Sequence, residues 1–357
     1  MKKLILPVLL VVVLIGAYVV FNNQPQIPDD LSDDTNEPSE TPPTGEENPS
    51  TDDEIPEVPE TPTMDRGLKG VSLSPRNLTG EGLIDFFKKA PDSNDLVIWV
   101  GDWIQLGDTD AAPHLVYRLS NLYGYEGLTI SAYIDQGSGT ILRPLDEETK
   151  QQYLESATSF VSTYKPRYIG FGVEMNIVKK TNPEAYDDFK EFYPLVYAAV
   201  KEASPDTLVF TIWQLEHMKG LDGGLFGGVN DPDTAQWGLL DDFESDLAVF
   251  TLYPCMIYGD PSEIPDDYLS EITMHSDQSI AFSELGWFRE GFPGWESSPE
   301  EQAEFIDRYF DLVELLDPVF TIWSFYYDQG TFEPFCTMGL RDVNMTETAG
   351  LEAWSSH

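Results

Sequence analysis

Apolar residues along most of this chain fall in short, almost uninterrupted runs that alternate with longer segments of mixed polarity. Eight such runs occur after residue 66, and runs of this kind are typical of strands in a parallel sheet that is buried on both faces. In chain order, the predicted strands are 70–73, 96–100, 128–133, 168–173, 208–213, 247–252, 279–282 and 319–323.

Segments of helical period separate the predicted strands. The clearest are 146–164, 183–203 and 298–316, which begin with residues that favour a helix N-terminus. Eight strand–helix units in about 290 residues suit an α/β protein with a (β/α)8 TIM-barrel fold, for which about 250 residues is typical. A doubly wound open sheet is the alternative. It is disfavoured because the sequence SLSP at 72–75 is not the glycine-rich phosphate-binding turn such a fold carries after its first strand.

The first 21 residues differ from the rest of the chain. After an initial Met-Lys-Lys, residues 4–21 form an uncharged apolar run of 18 residues, about the length that crosses a bilayer core of about 30 Å. The two lysines favour an N-terminus that stays in the cytoplasm. Residues 1–21 are therefore predicted to be a transmembrane anchor, with a cleaved signal peptide as the alternative. The rest of the chain is exported in both cases, either to the cell surface or as a secreted protein.

Residues 22–66 are rich in Pro, Glu, Asp, Thr and Ser and contain few aliphatic or aromatic side chains. Such a segment cannot bury enough apolar surface to offset its loss of conformational entropy, so we predict a disordered acidic linker. Its prolines and its mutually repelling charges favour an extended spacer. The linker would join the anchor to the barrel domain, which we predict at residues 67–357.

The charge of the chain is strongly negative, with 20 basic and 63 acidic residues and a formal net charge of −43 at pH 7. Residues 1–66 hold 14 of the acidic and three of the basic residues, so the remaining chain still has a net charge of −32. This domain repels itself at low ionic strength and repels polyanions, which argues against a nucleic-acid partner. The composition suits either an ordinary acidic secreted protein or one adapted to a saline environment.

Metal and redox chemistry have little support in the sequence. The histidines are scattered without the spacing of metal ligands, so we expect neither a metal nor another cofactor. Cys255 and Cys336 are compatible with a disulfide outside the cell or with two independent thiols.

In a TIM barrel the active site lies at the C-terminal ends of the strands, so the polar and aromatic residues there are the candidate site. Glu174 follows the fourth predicted strand and Glu284 the seventh, and carboxylates are the acid, base and nucleophile of glycosidic cleavage. Aromatic rings offer apolar faces to the C–H side of a sugar. Further candidates for substrate binding at strand ends are Asp102, Trp103, Tyr133, Asp135 and Trp213.

Four short motifs at these strand ends resemble those of one group of enzymes. YIGFGVEMN (168–176) resembles the acid/base strand, and AFSELGW (281–287) the nucleophile strand, of the retaining (β/α)8-barrel glycoside hydrolases known as clan A. TLYP (251–254) resembles the segment whose Tyr contacts the nucleophile, and TIWSF (321–325) the segment whose Trp floors the sugar site. The endo-β-1,4-galactanases are the branch with the most similar strand ends. The resemblance extends over the whole predicted barrel.

The resemblance implies a role for each matching residue. Glu174 would be the general acid/base and Glu284 the nucleophile of a retaining hydrolase that acts on a β-linked polysaccharide. Tyr253 would donate a hydrogen bond to Glu284, and Trp323 would lie beneath the sugar. The mechanism requires the two carboxyl groups to be about 5–5.5 Å apart.

One position departs from the pattern of the group. Most members have Asn immediately before the acid/base Glu, where it binds the sugar 2-hydroxyl, whereas this chain has Val173. Asn176, two positions after Glu174, is a further candidate for substrate binding, and it projects to the same side only if strand geometry continues past Glu174. The departure motivates a second hypothesis, a non-catalytic, membrane-tethered glycan-binding protein on the same barrel. A metal-dependent barrel enzyme is a third hypothesis, which the shortage of strand-end histidines disfavours. Glu216, after the fifth strand, is the substitute carboxylate if Glu174 is structural.

Overall fold

A computed structural model describes residues 65–135, 140–330 and 335–357. Its main element is a parallel sheet with the strand order β5-β4-β3-β2-β1-β9-β8-β7-β6. The strands are β1 Leu68–Ser72, β2 Leu96–Asp102, β3 Glu126–Ala132, β4 Tyr168–Phe171, β5 Leu208–Phe210, β6 Ile212–Gln214, β7 Ala248–Leu252, β8 Ile280–Leu285 and β9 Phe320–Trp323.

The barrel is closed by one strand that is interrupted at Thr211. On one side of the interruption β5 pairs with β4, and on the other side β6 pairs with β7. Since β5 and β6 are consecutive, the predicted fifth strand joins the two edges of the sheet. The nine segments are therefore the eight strands of a TIM-barrel-like fold, and the α/β barrel predicted from the sequence is confirmed.

All but the last of the described helices lie between strands, and several begin at a residue whose side chain caps the first turn. They are α1 Gly80–Lys89, α2 Ala112–Tyr123, α3 Glu147–Tyr164, α4 Met175–Thr181, α5 Pro183–Ala203, α6 Leu215–Met218, α7 Pro299–Val313 and α8 Ala349–Ser356. The side chains of Asp146 and Ser298 accept hydrogen bonds from backbone N–H groups in the first turns of α3 and α7. The predicted helices 146–164 and 183–203 agree with α3 and α5, and 298–316 agrees with α7 except that α7 ends three residues earlier.

Two connections depart from the regular strand–helix alternation that the sequence predicted. In the described segments 219–247 and 253–279, short 3₁₀ turns such as Trp237–Asp242 and Ser270–Met274 take the place of long helices. The first segment contains five glycines between residues 220 and 228, and glycine is unfavourable inside a helix because of its large loss of conformational entropy. These connections follow β6 and β7 and therefore lie at the end of the barrel where an active site is expected.

The core has two apolar layers because alternate residues of each strand point to opposite faces. One cluster fills the barrel and includes Ile98, Ile130 and Ile322. The other lies between the strands and the helices and includes Trp99 and Phe250. Both faces of the sheet are thus buried, which explains the continuous apolar runs in the sequence.

The predicted anchor over residues 1–21 and nearly all of the predicted linker over 22–66 lie outside the described residues. Within the described ranges, no helix is long and apolar enough to cross a bilayer. Where the description begins, Arg66 donates a hydrogen bond of 2.7 Å to the backbone oxygen of Asp317. Asp65 accepts one of 2.8 Å from Arg167. Contacts with the barrel therefore begin two residues before the predicted start of the domain.

Candidate active site

Glu174 stands where the chain leaves β4 and enters α4. Gly172 has a φ of 85° and Glu174 a φ of 46°, so both adopt left-handed backbone conformations. The carboxylate is buried, with 5% of the residue exposed, and its Oε1 accepts a hydrogen bond of 2.7 Å from Thr251 Oγ1. A non-glycine residue in this conformation costs on the order of 1–3 kcal/mol, and such strain is concentrated at functional sites.

Glu284 owes its orientation to a β-bulge in β8. Phe282 pairs with Phe250 of β7, but the next residue of β7, Thr251, pairs with Glu284, so that Ser283 is the extra residue. Phe282 and Leu285 both lie in the layer between strands and helices. On a regular strand, residues three apart face opposite sides. The bulge thus turns Glu284 away from the helices and towards Tyr253.

Glu284 and Glu174 form one electrostatic site together with Tyr253. Burial first, and then the negative charge of Glu174, raise the pKa of Glu284 well above its ordinary value, while a hydrogen bond of 2.9 Å from Tyr253 Oη opposes this rise. Burial and the charges of both carboxylates also raise the pKa of Tyr253. Two buried carboxyl groups that repel each other do not both ionise readily, so ionisation of one opposes ionisation of the other. One protonated and one ionised carboxyl is the state that acid-assisted nucleophilic cleavage requires.

Thr251 and Ser324 belong to the site but are absent from the residues predicted for it. Thr251 binds Glu174, and the Oγ of Ser324 lies 2.8 Å from Tyr253 Oη and 2.9 Å from the backbone oxygen of Leu285. Each is a small polar residue at or just after the end of a mainly apolar strand. That contrast is the signal in the sequence that marks them.

Trp323 lies in the outer layer of the core and not beneath the carboxylates. The residue is fully buried, its Nε1 donates a hydrogen bond of 2.8 Å to the backbone oxygen of Met338, and its ring packs against Phe305 and Trp354 of the helices. Phe320 and Ile322 of the same strand point into the barrel. The alternation of β9 therefore directs Trp323 towards the helices, which differs from the sugar-binding floor that the resemblance implied.

Three more aromatic residues predicted to bind substrate are also buried in the outer layer. Each packs on a ring from a helix or a loop outside the barrel. The pairs are Trp213 with Phe243, Trp103 with Tyr153 and Tyr133 with Phe189, at centroid distances of 5.9, 4.6 and 5.2 Å. The described structure therefore packs these three rings against the helices and loops that surround the barrel.

The polar candidates have protein partners. Asn176 Nδ2 donates a hydrogen bond of 2.9 Å to the backbone oxygen of Gln214, and Asn176 Oδ1 accepts one of 3.0 Å from the Gln214 N–H. Asp102 accepts a hydrogen bond of 3.2 Å from the Ile104 N–H and forms an ion pair with Arg143. The side chain of Asp135 lies outside the described part of the structure. Asn176 and Asp102 thus stabilise strand ends.

Val173 belongs to the apolar cluster inside the barrel, and 3% of the residue is exposed. The position before Glu174 therefore completes the barrel core and offers no hydrogen bond to a sugar hydroxyl. Glu216, the substitute carboxylate, is fully buried just after β6, and burial raises its pKa to about 7.

Cys255 and Cys336 are thiols and not a disulfide. In the described ranges, no group of three or more His, Cys, Asp and Glu side chains is arranged to hold a metal ion.

No protein-family model and no curated protein sequence matches the chain. Solved structures do match. A family 39 glycoside hydrolase from Bacteroides cellulosilyticus WH2 has a TM-score of 0.54 at 17% identity, over 84% of this chain and 65% of that one. The GH53 catalytic domain from Ignisphaera aggregans has a TM-score of 0.54 at 13% identity, over 83% of this chain and 97% of that one. GH5_18 from Streptomyces cattleya, in complex with GlcNAc, has a TM-score of 0.59 at 12% identity, over 82% of this chain and 80% of that one.

These structural neighbours are clan A glycoside hydrolases, the group that the sequence motifs resemble, and the galactanase-like GH53 fold is among them. At these identities the shared feature is the fold. The chain spans less than two thirds of the family 39 structure, whereas it spans nearly all of the GH53 domain.

Proposed function

We propose that the protein is a retaining glycoside hydrolase that cleaves a β-linked polysaccharide, with Glu284 as nucleophile and Glu174 as general acid/base. The observation that carries the proposal is that Thr251 and Tyr253, at the end of one strand, donate hydrogen bonds of 2.7 and 2.9 Å to the buried carboxylates of Glu174 and Glu284. Strand ends of this kind are where TIM-barrel enzymes hold their catalytic groups.

In the first step, an ionised Glu284 oxygen attacks the anomeric carbon while the bond to the leaving oxygen breaks, and Glu174 transfers its proton to that oxygen. In the second step, water attacks the anomeric carbon, Glu174 accepts the proton of the water, and the bond to Glu284 breaks. Tyr253 supports these roles, because a phenol that donates to Glu284 favours its ionised form.

We further propose that residues 4–21 anchor the protein in the membrane, or direct its secretion, and that residues 22–66 separate the barrel from the membrane. The proposal is supported by the apolar run and by the acidic, proline-rich composition that follows it. The net charge of −43 favours neutral glycans over polyanions as partners.

A non-catalytic glycan-binding protein is the second candidate. Val173 and Asn176 favour it, since the first is an apolar core residue and the second is bound to the Gln214 backbone. Neither is placed to bind the sugar 2-hydroxyl in the way the hydrolase group does.

The deciding experiment is hydrolysis of aryl β-glycosides and β-linked polysaccharides by the full-length chain, at low and at multimolar salt. We expect Glu284→Gln to lower kcat by a factor of roughly 1,000 or more, because it removes the nucleophile. Glu126→Gln, at the opposite end of the barrel, should leave activity unchanged. No hydrolysis at any salt concentration, with glycan binding retained by wild type and Glu284→Gln, would instead establish the binding protein.

A further inference from the structure

Glu216 is a fully buried carboxylate that the proposed mechanism does not use. Its Oε1 accepts hydrogen bonds from the Tyr253 N–H at 3.0 Å and from Tyr268 Oη at 2.8 Å, and its Oε2 accepts one from Gln214 Nε2. All three neighbours are donors. A carboxylate suits this place because it accepts on both oxygens, whereas a carboxamide must present an NH₂ group on one side.

The hydrogen bonds of Glu216 extend towards both proposed catalytic carboxylates, to Tyr253, which binds Glu284, and to a residue close to Glu174 in the chain. On one side, the backbone of Gln214 is paired with the side chain of Asn176, two residues after Glu174. On the other side, Tyr253 is bound to Glu216 through its backbone and to Glu284 through its hydroxyl. Glu216 is therefore at the centre of a buried polar chain between the end of β4 and the end of β8.

We propose that Glu216 is a positioning residue that holds Tyr253, and through Tyr253 the carboxylate of Glu284, in the geometry needed for reaction. The inference rests on the proposed function, since positioning has a kinetic effect only if Glu284 reacts. Glu216 acts through its hydrogen bonds and not through contact with substrate. A displacement of about 1 Å in a catalytic group can cost on the order of 100-fold in rate, which is how a residue of this kind becomes visible in kcat.

Glu216→Gln breaks this arrangement. The new NH₂ group must face either Gln214 Nε2 or the pair formed by Tyr253 N–H and Tyr268 Oη. The Tyr268 hydroxyl can turn to accept a hydrogen bond, but Gln214 Nε2 and the Tyr253 N–H can only donate. In either orientation, a donor therefore faces a buried donor, and both are left unsatisfied. The double variant Gln214→Glu/Glu216→Gln reverses the hydrogen bond between these two side chains, so that position 216 donates and position 214 accepts. The new glutamine at 216 can donate to position 214 and accept from the other two donors. The new glutamate at 214 can still accept from the His217 N–H, as Gln214 does now.

The test compares full-length wild type, Glu216→Gln, the double variant and the control Glu126→Gln. We expect Glu216→Gln to lower kcat by about 100-fold with little change in KM. We expect the double variant to recover kcat close to the wild-type value. A second readout is the apparent pKa of Glu284, followed by ¹³C carboxyl NMR. It should rise in Glu216→Gln, because the Tyr253 bond that lowers it is displaced, and return in the double variant.

The proposal is overturned if folded Glu216→Gln keeps wild-type kcat and an unchanged Glu284 pKa. It is also overturned if the double variant folds but is as impaired as Glu216→Gln. If Glu216→Gln does not fold, the double variant alone decides, provided that it folds. A double variant with wild-type kcat supports positioning by hydrogen bonds, and a double variant without activity contradicts it. A wild-type protein without hydrolysis would refute the proposed function, and the NMR titration would still show whether Glu216 controls the Tyr253–Glu284 contact.

Discussion

Thr251 and Tyr253, separated by one residue at the end of β7, each donate a hydrogen bond to a different carboxylate. Thr251 Oγ1 binds Glu174 at 2.7 Å, and Tyr253 Oη binds Glu284 at 2.9 Å. Residues two apart in an extended chain point to the same side. One short stretch of backbone therefore sets the positions of both carboxylates relative to each other.

Tyr253→Phe should change the pH dependence of catalysis. The Tyr253 bond favours ionised Glu284 and lowers its pKa, so its removal raises that pKa further and moves the acid limb of kcat/KM to higher pH. A hydrogen bond to a charged group contributes about 1.5–3 kcal/mol. The loss at neutral pH should therefore be roughly 10- to 100-fold in kcat/KM. The measurement is the pH profile of kcat/KM.

Tyr197→Phe is the matched control for this experiment, because Tyr197 Oη also donates to a carboxylate, that of Asp246, at 2.9 Å but on α5 outside the barrel. Its pH profile should equal that of wild type. An acid limb that stays in place in Tyr253→Phe would show that the ionisation of Glu284 does not limit the reaction.

Trp323→Ala should reduce stability and leave substrate affinity unchanged. The ring is fully buried against Phe305 and Trp354, so its truncation leaves a cavity that costs about 3–5 kcal/mol in the free energy of unfolding. Denaturant unfolding measures this loss, and KM of the folded fraction should equal that of wild type. A raised KM with unchanged stability would instead indicate that the ring contacts the sugar.

The case of Trp323 also shows where prediction from the sequence ends. The apolar runs predict the strands and therefore which residues follow them, and Glu174 and Glu284 were chosen as candidates on that basis. They do not predict which face a residue occupies, because both faces of a parallel barrel strand are apolar. In β9, Phe320 and Ile322 on one face look the same in the sequence as Trp323 on the other.

The bulge at Ser283 and the backbone of Glu174 are equally hidden in the sequence. The segment AFSEL contains no glycine to mark a bulge, yet the extra residue decides the direction of Glu284. Glu174 adopts a left-handed conformation although it is not glycine. These features depend on contacts between strands that are distant in the chain, such as the bond from Thr251 to Glu174.

Val173→Thr tests whether the position before Glu174 is part of the sealed core. Valine and threonine have nearly the same shape, but the hydroxyl of threonine would be buried in the apolar cluster inside the barrel. We expect the free energy of unfolding to fall by about 1–3 kcal/mol. Val229→Thr, at a position that is 77% exposed, is the control and should change stability by less than about 0.5 kcal/mol. A neutral Val173→Thr would mean that the side chain faces a solvated cleft.

Stability should decrease as the pH rises from about 4 to about 7. Burial raises the pKa of Glu216 from 4.5 to about 7 and that of Asp328 from 3.8 to about 6. A carboxyl whose pKa is higher in the folded state stabilises the fold below its unfolded pKa, and this contribution is lost as the pH rises through the folded value. His217 works in the opposite direction, because burial lowers its pKa from 6.5 to about 4. The net charge of −43 adds self-repulsion at higher pH, so we expect the carboxyls to prevail.

Asp328→Asn isolates one contribution to this pH dependence. The variant loses the ion pair with Arg289, so it should be less stable than wild type throughout, but it also lacks the group that titrates. The fall in the free energy of unfolding between about pH 4 and about pH 6 should therefore be smaller by about 1–3 kcal/mol. Asp277→Asn, at an exposed position, is the control. If both variants keep the wild-type slope, Asp328 does not retain its proton in the folded state, and burial does not govern its ionisation.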